Sequence, residues 1–108
     1  MGRGTAKMEY DAFGIDMELG RDRFRECYEV ITRALNGGRF TYRGEHMNVP
    51  KEIEIRPRTD TGKIHFYGAL GASPESAEIM ADMGLTPICT TIVNFEKQHE
   101  VIARWQAR

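Results

Sequence analysis

The segment from Ile64 to Val93 constrains the fold more tightly than any other part of the chain. Ile64-His65-Phe66-Tyr67-Gly68-Ala69 is short and rich in β-branched and aromatic residues, which predicts a strand. Gly71-Ala72-Ser73-Pro74-Glu75-Ser76 then opens a helix, with Ser73 suited to the N-cap and Pro74 to the first helical position. Ile79, Met80 and Met83 supply that helix with an apolar face, and Gly84 stops it. The largely apolar run Leu85 to Val93 predicts a strand buried on both faces, and Asn94 caps a final helix carrying Phe95, Val101, Ile102 and Trp105. Strand, helix and strand at this spacing favour a parallel pair joined by a crossover helix, so the fold class is α/β.

Upstream, Phe24, Cys27, Tyr28, Ile31 and Leu35 recur at three- and four-residue steps and form one helical stripe. Arg21, Asp22, Arg23, Arg25, Glu26 and Glu29 mostly occupy the opposite face, and Asn36-Gly37-Gly38 ends the helix. From Phe40 to Pro57 apolar and polar residues alternate around a turn at Arg43-Gly44, which predicts an extended insert. Pro50 and Pro57 keep that insert away from the centre of a sheet. Arg58 to Gly62 is a polar loop.

Composition narrows the function classes. With 15 Lys and Arg against 16 Asp and Glu, the formal charge of −1 gives no general electrostatic attraction to nucleic acid or anionic lipid. The 41% apolar content argues against wholesale disorder, and no apolar run approaches the roughly 18 residues of a membrane helix. Cys27 and Cys89 lie far apart in sequence without a redox or metal motif, so two buried thiols in a cytoplasmic protein are expected.

Few residues carry readable chemistry. A strand ending in the Gly71–Ser76 turn aims backbone N–H groups and the positive end of a helix at one point, an arrangement that attracts anions. The dipole contributes only about 0.3–1 kcal/mol, so further donors or an arginine must complete a phosphate site. Ordinary helix capping explains the same residues, and Glu75 would repel a phosphate unless turned outward. Gly2-Arg3-Gly4 could put a guanidinium beside accessible backbone, but the default reading of the triplet is a flexible terminus. Arg21 reads as a solvated helix charge. His46, His65 and His99 fall in a turn, a strand and a helix without metal-ligand spacing, and no Ser, Thr or Cys stands in a nucleophile context.

The signals nevertheless occur in a familiar order. Gly2-Arg3-Gly4 is followed by Glu9-Tyr10-Asp11-Ala12-Phe13-Gly14-Ile15-Asp16-Met17 and by Arg21-Asp22-Arg23-Phe24-Arg25-Glu26. Then come Phe40-Thr41-Tyr42-Arg43-Gly44-Glu45-His46, Arg56-Pro57, and Gly71 to Glu78 with Gly84. This series resembles the middle of a bacterial-luciferase-like, flavin-dependent monooxygenase and extends over essentially the whole chain. The resemblance implies a (β/α)8 TIM barrel, of which residues 1–108 would be a central fragment of two to three βα units with an extended insert. It also implies reduced FMN, which delivers one atom of O2 to a small organic substrate while the other leaves as water, with the flavin supplied by a separate reductase.

By the same resemblance, Arg3 and Arg21 match arginines aimed at the flavin phosphate. Ala72, Ser73 and Ser76 fall in the phosphate loop at the next strand's end, and Gly2 lies beside the flavin ring. Two arginines, two hydroxyls and a helix N-terminus would then converge on one dianion, at the strand ends where barrel sites form. No role is implied for Tyr42 to His46. A complete barrel needs about 250 residues, so a truncated, split or fragmentary reading frame is expected, inactive in isolation. Two alternatives remain open: a deazaflavin-dependent reductase or dehydrogenase of the same superfamily, and a non-catalytic, self-associating homo-oligomeric barrel remnant. Neither nucleic acid nor membrane is an expected partner.

Overall fold

A computed structural model describes residues 1–57 and 64–108. The expected Arg58–Gly62 loop lies outside the described residues. The chain divides into two compact units, one formed by Met1–Gly2 with His65–Arg108 and the other by Arg3–Ile64.

In the first unit, β3 (Tyr67–Leu70) and β4 (Thr86–Cys89) are parallel neighbours, with Tyr67 opposite Thr86 and Leu70 opposite Cys89. Helix α3 (Pro74–Asp82) makes the crossover, and α4 (Phe95–Gln106) follows β4. Gly84, with φ of +70°, closes α3: its N–H reaches Ala81 O, and the Leu85 N–H reaches Met80 O. That paired reversal turns Leu85 back toward Met80, and both are buried. A Cβ on Gly68 would stand 3.0 Å from the Met80 sulfur and 3.4 Å from Leu85 Cδ1, so the strand's glycine lets this pair settle on its backbone. Leu70, Ala77 and Val101 complete the core. Trp105 Nε1 donates to Leu85 O at 2.9 Å, and Arg108 grips Asp82 with bonds of 2.7 and 2.9 Å, tying α4 to α3.

Met1 extends this sheet. Its nitrogen donates to Tyr67 O at 2.6 Å, and its carbonyl accepts from Ala69 N at 2.8 Å. Those two bonds are the pattern of a parallel rung opposite Gly68, on the flank of β3 away from β4. Gly2 and the Gly71–Ser73 turn therefore leave the strands at the same, C-terminal, end. The start of the chain is pinned at Met1 rather than loose as the Gly2-Arg3-Gly4 triplet suggested.

In the second unit, α1 (Lys7–Ala12) turns through Gly14, φ +65°, into a 3-10 turn over Met17–Leu19. Asp16 caps this turn by accepting from Glu18 N at 2.9 Å. Helix α2 (Gly20–Leu35) continues directly, followed by the antiparallel hairpin β1 (Phe40–Arg43) and β2 (Asn48–Ile53), which carries a bulge between Phe40 and Tyr42. Among the described residues β2 pairs with β1 alone, so Pro50 interrupts no central strand there.

Helix α2 holds the hairpin by specific contacts. The Glu26 carboxylate accepts the backbone N–H groups of Glu45 (2.8 Å), His46 (2.8 Å) and Met47 (2.7 Å). Glu29 accepts from the Tyr42 hydroxyl at 3.0 Å, and the Arg33 guanidinium lies 4.9 Å from the Tyr42 ring centre while donating to Thr41 O.

Three expectations need correction. The strand expected over Leu85–Val93 is only Thr86–Cys89, and it is not buried on both faces: Thr86 is exposed, and so is Ile88 at 56%. Among the described residues it pairs on one side alone, and residues 91–92 already turn toward α4. His65 precedes the strand, which starts at Tyr67. Cys27 and Cys89 are free but half-buried. The described residues form two two-stranded sheets and no closed barrel. The mixed α/β class stands.

Candidate anion-binding site

The turn after β3 is built by its sequence. Ser73 has extended backbone angles, its Oγ accepts from Ser76 N at 3.3 Å, and its carbonyl accepts the Ala77 N–H at 3.2 Å. Pro74 at the first helical position has no N–H to satisfy. Helix α3 is nine residues long, so its N-terminal dipole is fully formed at Ser73. A Cβ on Gly71 would meet nothing within 4 Å, so the approach to the turn is open. Gly71, Ala72 and Glu75 are exposed, and Ser73 and Ser76 are half-buried. Gly2 lies beside this strand, with the position of a Cβ on it 3.7 Å from Ala69 Cβ.

Arg3 and Arg21 belong to the second unit, where their surroundings converge. Gly20 is buried at the start of α2, immediately before Arg21. A Cβ there would stand 2.8 Å from the Tyr10 hydroxyl and 3.4 Å from Arg3 Cγ and Cδ. The Arg3 stem thus runs across the residue next to Arg21, and Arg21 buries its Nε. Arg3 also lines an open cleft of about 770 Å³ with Lys7, Asp11 and residues 14–18. Lys7 is neutralised by Asp11 at 2.8 Å, and Asp16 and Glu18 add two more carboxylates, so the cleft is not itself an anion pocket. Arg21 does not line it.

The structure thus groups Gly2, Ala72, Ser73 and Ser76 in one unit, and Arg3 with Arg21 in the other. Tyr10 was not legible from sequence: α1 is six residues long, too short for a helical stripe, and the Glu9-Tyr10-Asp11 triplet gives no periodic signal. No group of three or more His, Cys, Asp or Glu among the described residues is arranged to hold a metal. Nor is any described helix long and apolar enough to cross a membrane.

The profile of the luciferase-like monooxygenases matches residues 1–108. The chain belongs to the luciferase-like monooxygenase family. An uncharacterized protein, y4wF, of Sinorhizobium fredii (strain NBRC 101917 / NGR234) is 40% identical over 92 residues, covering 82% of this chain and 26% of its own length. The alkanal monooxygenase alpha chain of the Kryptophanaron alfredi symbiont is 26% identical over 92 residues, covering 85% of this chain and 26% of its own. This luciferase-like chain therefore spans about a quarter of each of these curated relatives.

Proposed function

We propose that this chain is the phosphate-binding segment of a flavin-dependent monooxygenase barrel, with Arg3, Arg21, Ser73 and Ser76 holding the phosphate of reduced FMN. The observation that carries the reading is the family match over all 108 residues. The open turn at the start of α3 supports it: the approach at Gly71 is clear, and the helix end there carries positive potential. Ala72 and Gly2, without bulky side chains, leave the strand ends accessible to a ligand. When bound, reduced flavin supplies the electrons that activate O2 toward a small organic substrate, and a separate reductase delivers it. The residues of this chain would hold and orient the cofactor; flavin enclosure and substrate contacts would come from the remaining barrel. The isolated chain would then bind FMN without turning over.

The test is a fluorescence titration of the full chain with FMN and with riboflavin, which lacks the phosphate. Preference for FMN is expected, and Arg3→Gln should reduce it. Unaltered FMN emission up to millimolar concentration would count against the reading.

A specific observation favours a second reading. Ile88, Ile92 and Phe95, close in sequence, are 56%, 92% and 73% exposed. A self-associating segment that covers this apolar run would explain them. A monodisperse monomer by light scattering would remove that explanation.

A further inference from the structure

Helix α1 buries none of its residues, and Tyr10 is the only one of its six that is not exposed. Such a helix adds nothing to a core; what it does is present Tyr10. The Tyr10 hydroxyl donates to the backbone carbonyl of Arg3. Its ring edge, at Cε2, lies 3.6 Å from where a Cβ on Gly4 would stand. Its hydroxyl and the Arg3 stem both cross the open side of Gly20. We propose that Tyr10 is a positioning residue for Arg3: it clamps the Arg3 carbonyl and, with Gly20 as the floor, directs the Arg3 side chain across the residue preceding Arg21. This deepens the phosphate assignment and rests on it.

Several features support a positioning role over a packing role. The exit of α1 is fixed by the same paired reversal that closes α3: Gly14 N–H reaches Asp11 O, and Ile15 N–H reaches Tyr10 O at 2.9 Å. Tyr10 is thereby held at both its backbone carbonyl and its hydroxyl. A long arginine side chain is costly to order, so a clamp at its backbone and a floor under its stem raise its effectiveness toward an anion without touching the anion. Gly20 is required because any Cβ would displace the Tyr10 hydroxyl or the Arg3 stem.

The experiment uses the full chain with Tyr10→Phe, Gly20→Ala and Arg3→Gln, titrated with FMN and with riboflavin. The amide resonance of Gly4, whose peptide contains the Arg3 carbonyl, reports the clamp without any ligand. Arg3→Gln should weaken FMN about ten-fold or more and leave riboflavin unchanged, since a charged contact is lost. Tyr10→Phe keeps the ring and loses one hydrogen bond; it should weaken FMN about five-fold, spare riboflavin and shift the Gly4 amide. Gly20→Ala should act in the same direction.

If Arg3→Gln weakens FMN but Tyr10→Phe binds like the unaltered chain, the Tyr10 proposal is overturned and the phosphate reading survives. Equal loss of FMN and riboflavin in Tyr10→Phe would mark a general structural role and also overturn it. If Arg3→Gln has no effect, the phosphate reading fails, and the clamp is judged on the Gly4 amide alone, where an unchanged resonance in Tyr10→Phe overturns it.

Discussion

Gly44 and Ser73 show how much a single position can decide. Gly44 lies at the hairpin turn with its N–H on Met47 O, and a Cβ there would collide with the Glu26 carboxylate and the Tyr42 ring. Neither neighbour can retreat, because Glu26 is held by three N–H groups and Tyr42 is buried. Gly44→Ala should therefore destabilise by about 1–3 kcal/mol, measured by urea denaturation followed by circular dichroism. At Ser73 the hydroxyl satisfies one N–H of the first turn of α3. Ser73→Ala should cost about 1 kcal/mol in the same measurement, and Ser73→Asp, which keeps the cap, should recover most of it. These two positions differ in legibility. The Ser73-Pro74 pair announces its cap in sequence, whereas Gly44 looks like any turn glycine until Glu26, 18 positions earlier, is seen to fill its empty side.

At the scale of elements, the hairpin and α2 are joined mainly through ionisable groups. Partial desolvation pushes the Glu26 carboxyl up, but the His46, Glu45 and Met47 N–H groups together with the charge of His46 outweigh it and leave the carboxyl below its usual 4.5. A carboxyl depressed in the folded state contributes stability that is present above its unfolded value and lost as pH falls through the folded one. Hydrogen exchange at the Glu45, His46 and Met47 amides should consequently accelerate, beyond the intrinsic trend, as pH drops below 4.5, and Glu26→Gln should flatten that dependence. Tyr42 behaves oppositely. Desolvation and the Glu29 carboxylate raise its hydroxyl above 10, so the hairpin loses stability as the solution becomes more alkaline than that. The α3–α4 link is of another kind. Arg108 and Asp82 are each about half exposed, at 50% and 52%, so Arg108→Ala should change stability by less than about 1 kcal/mol, again by denaturation. The helices with a stripe or a cap, α2, α3 and α4, were legible from period and punctuation. Helix α1 and the full extent of β4 were not: the first is shorter than two turns, and the second has an apolar sequence that pairs, among the described residues, with β3 alone.

At the scale of the whole molecule, several large apolar residues meet solvent. Ile88, Ile92 and Phe95 in one unit and Met8 and Phe13 in the other are exposed, at 56%, 92%, 73%, 79% and 81%. Binding of a hydrophobic dye and concentration-dependent light scattering are expected, and Ile92→Lys should reduce both. The family was legible only as an ordered series of individually weak motifs, because each motif is an ordinary cap, turn or helix charge when taken alone. The strand end and the arginines expected to share one anion fall in separate compact units.

Trp105 has a practical consequence. It is the sole tryptophan, and its indole nitrogen is bound to Leu85 O, the residue folded back at the end of α3. One chromophore is thus wired to the junction of β4, α3 and α4, and its emission wavelength and indole proton lifetime would report loosening there without any label being introduced.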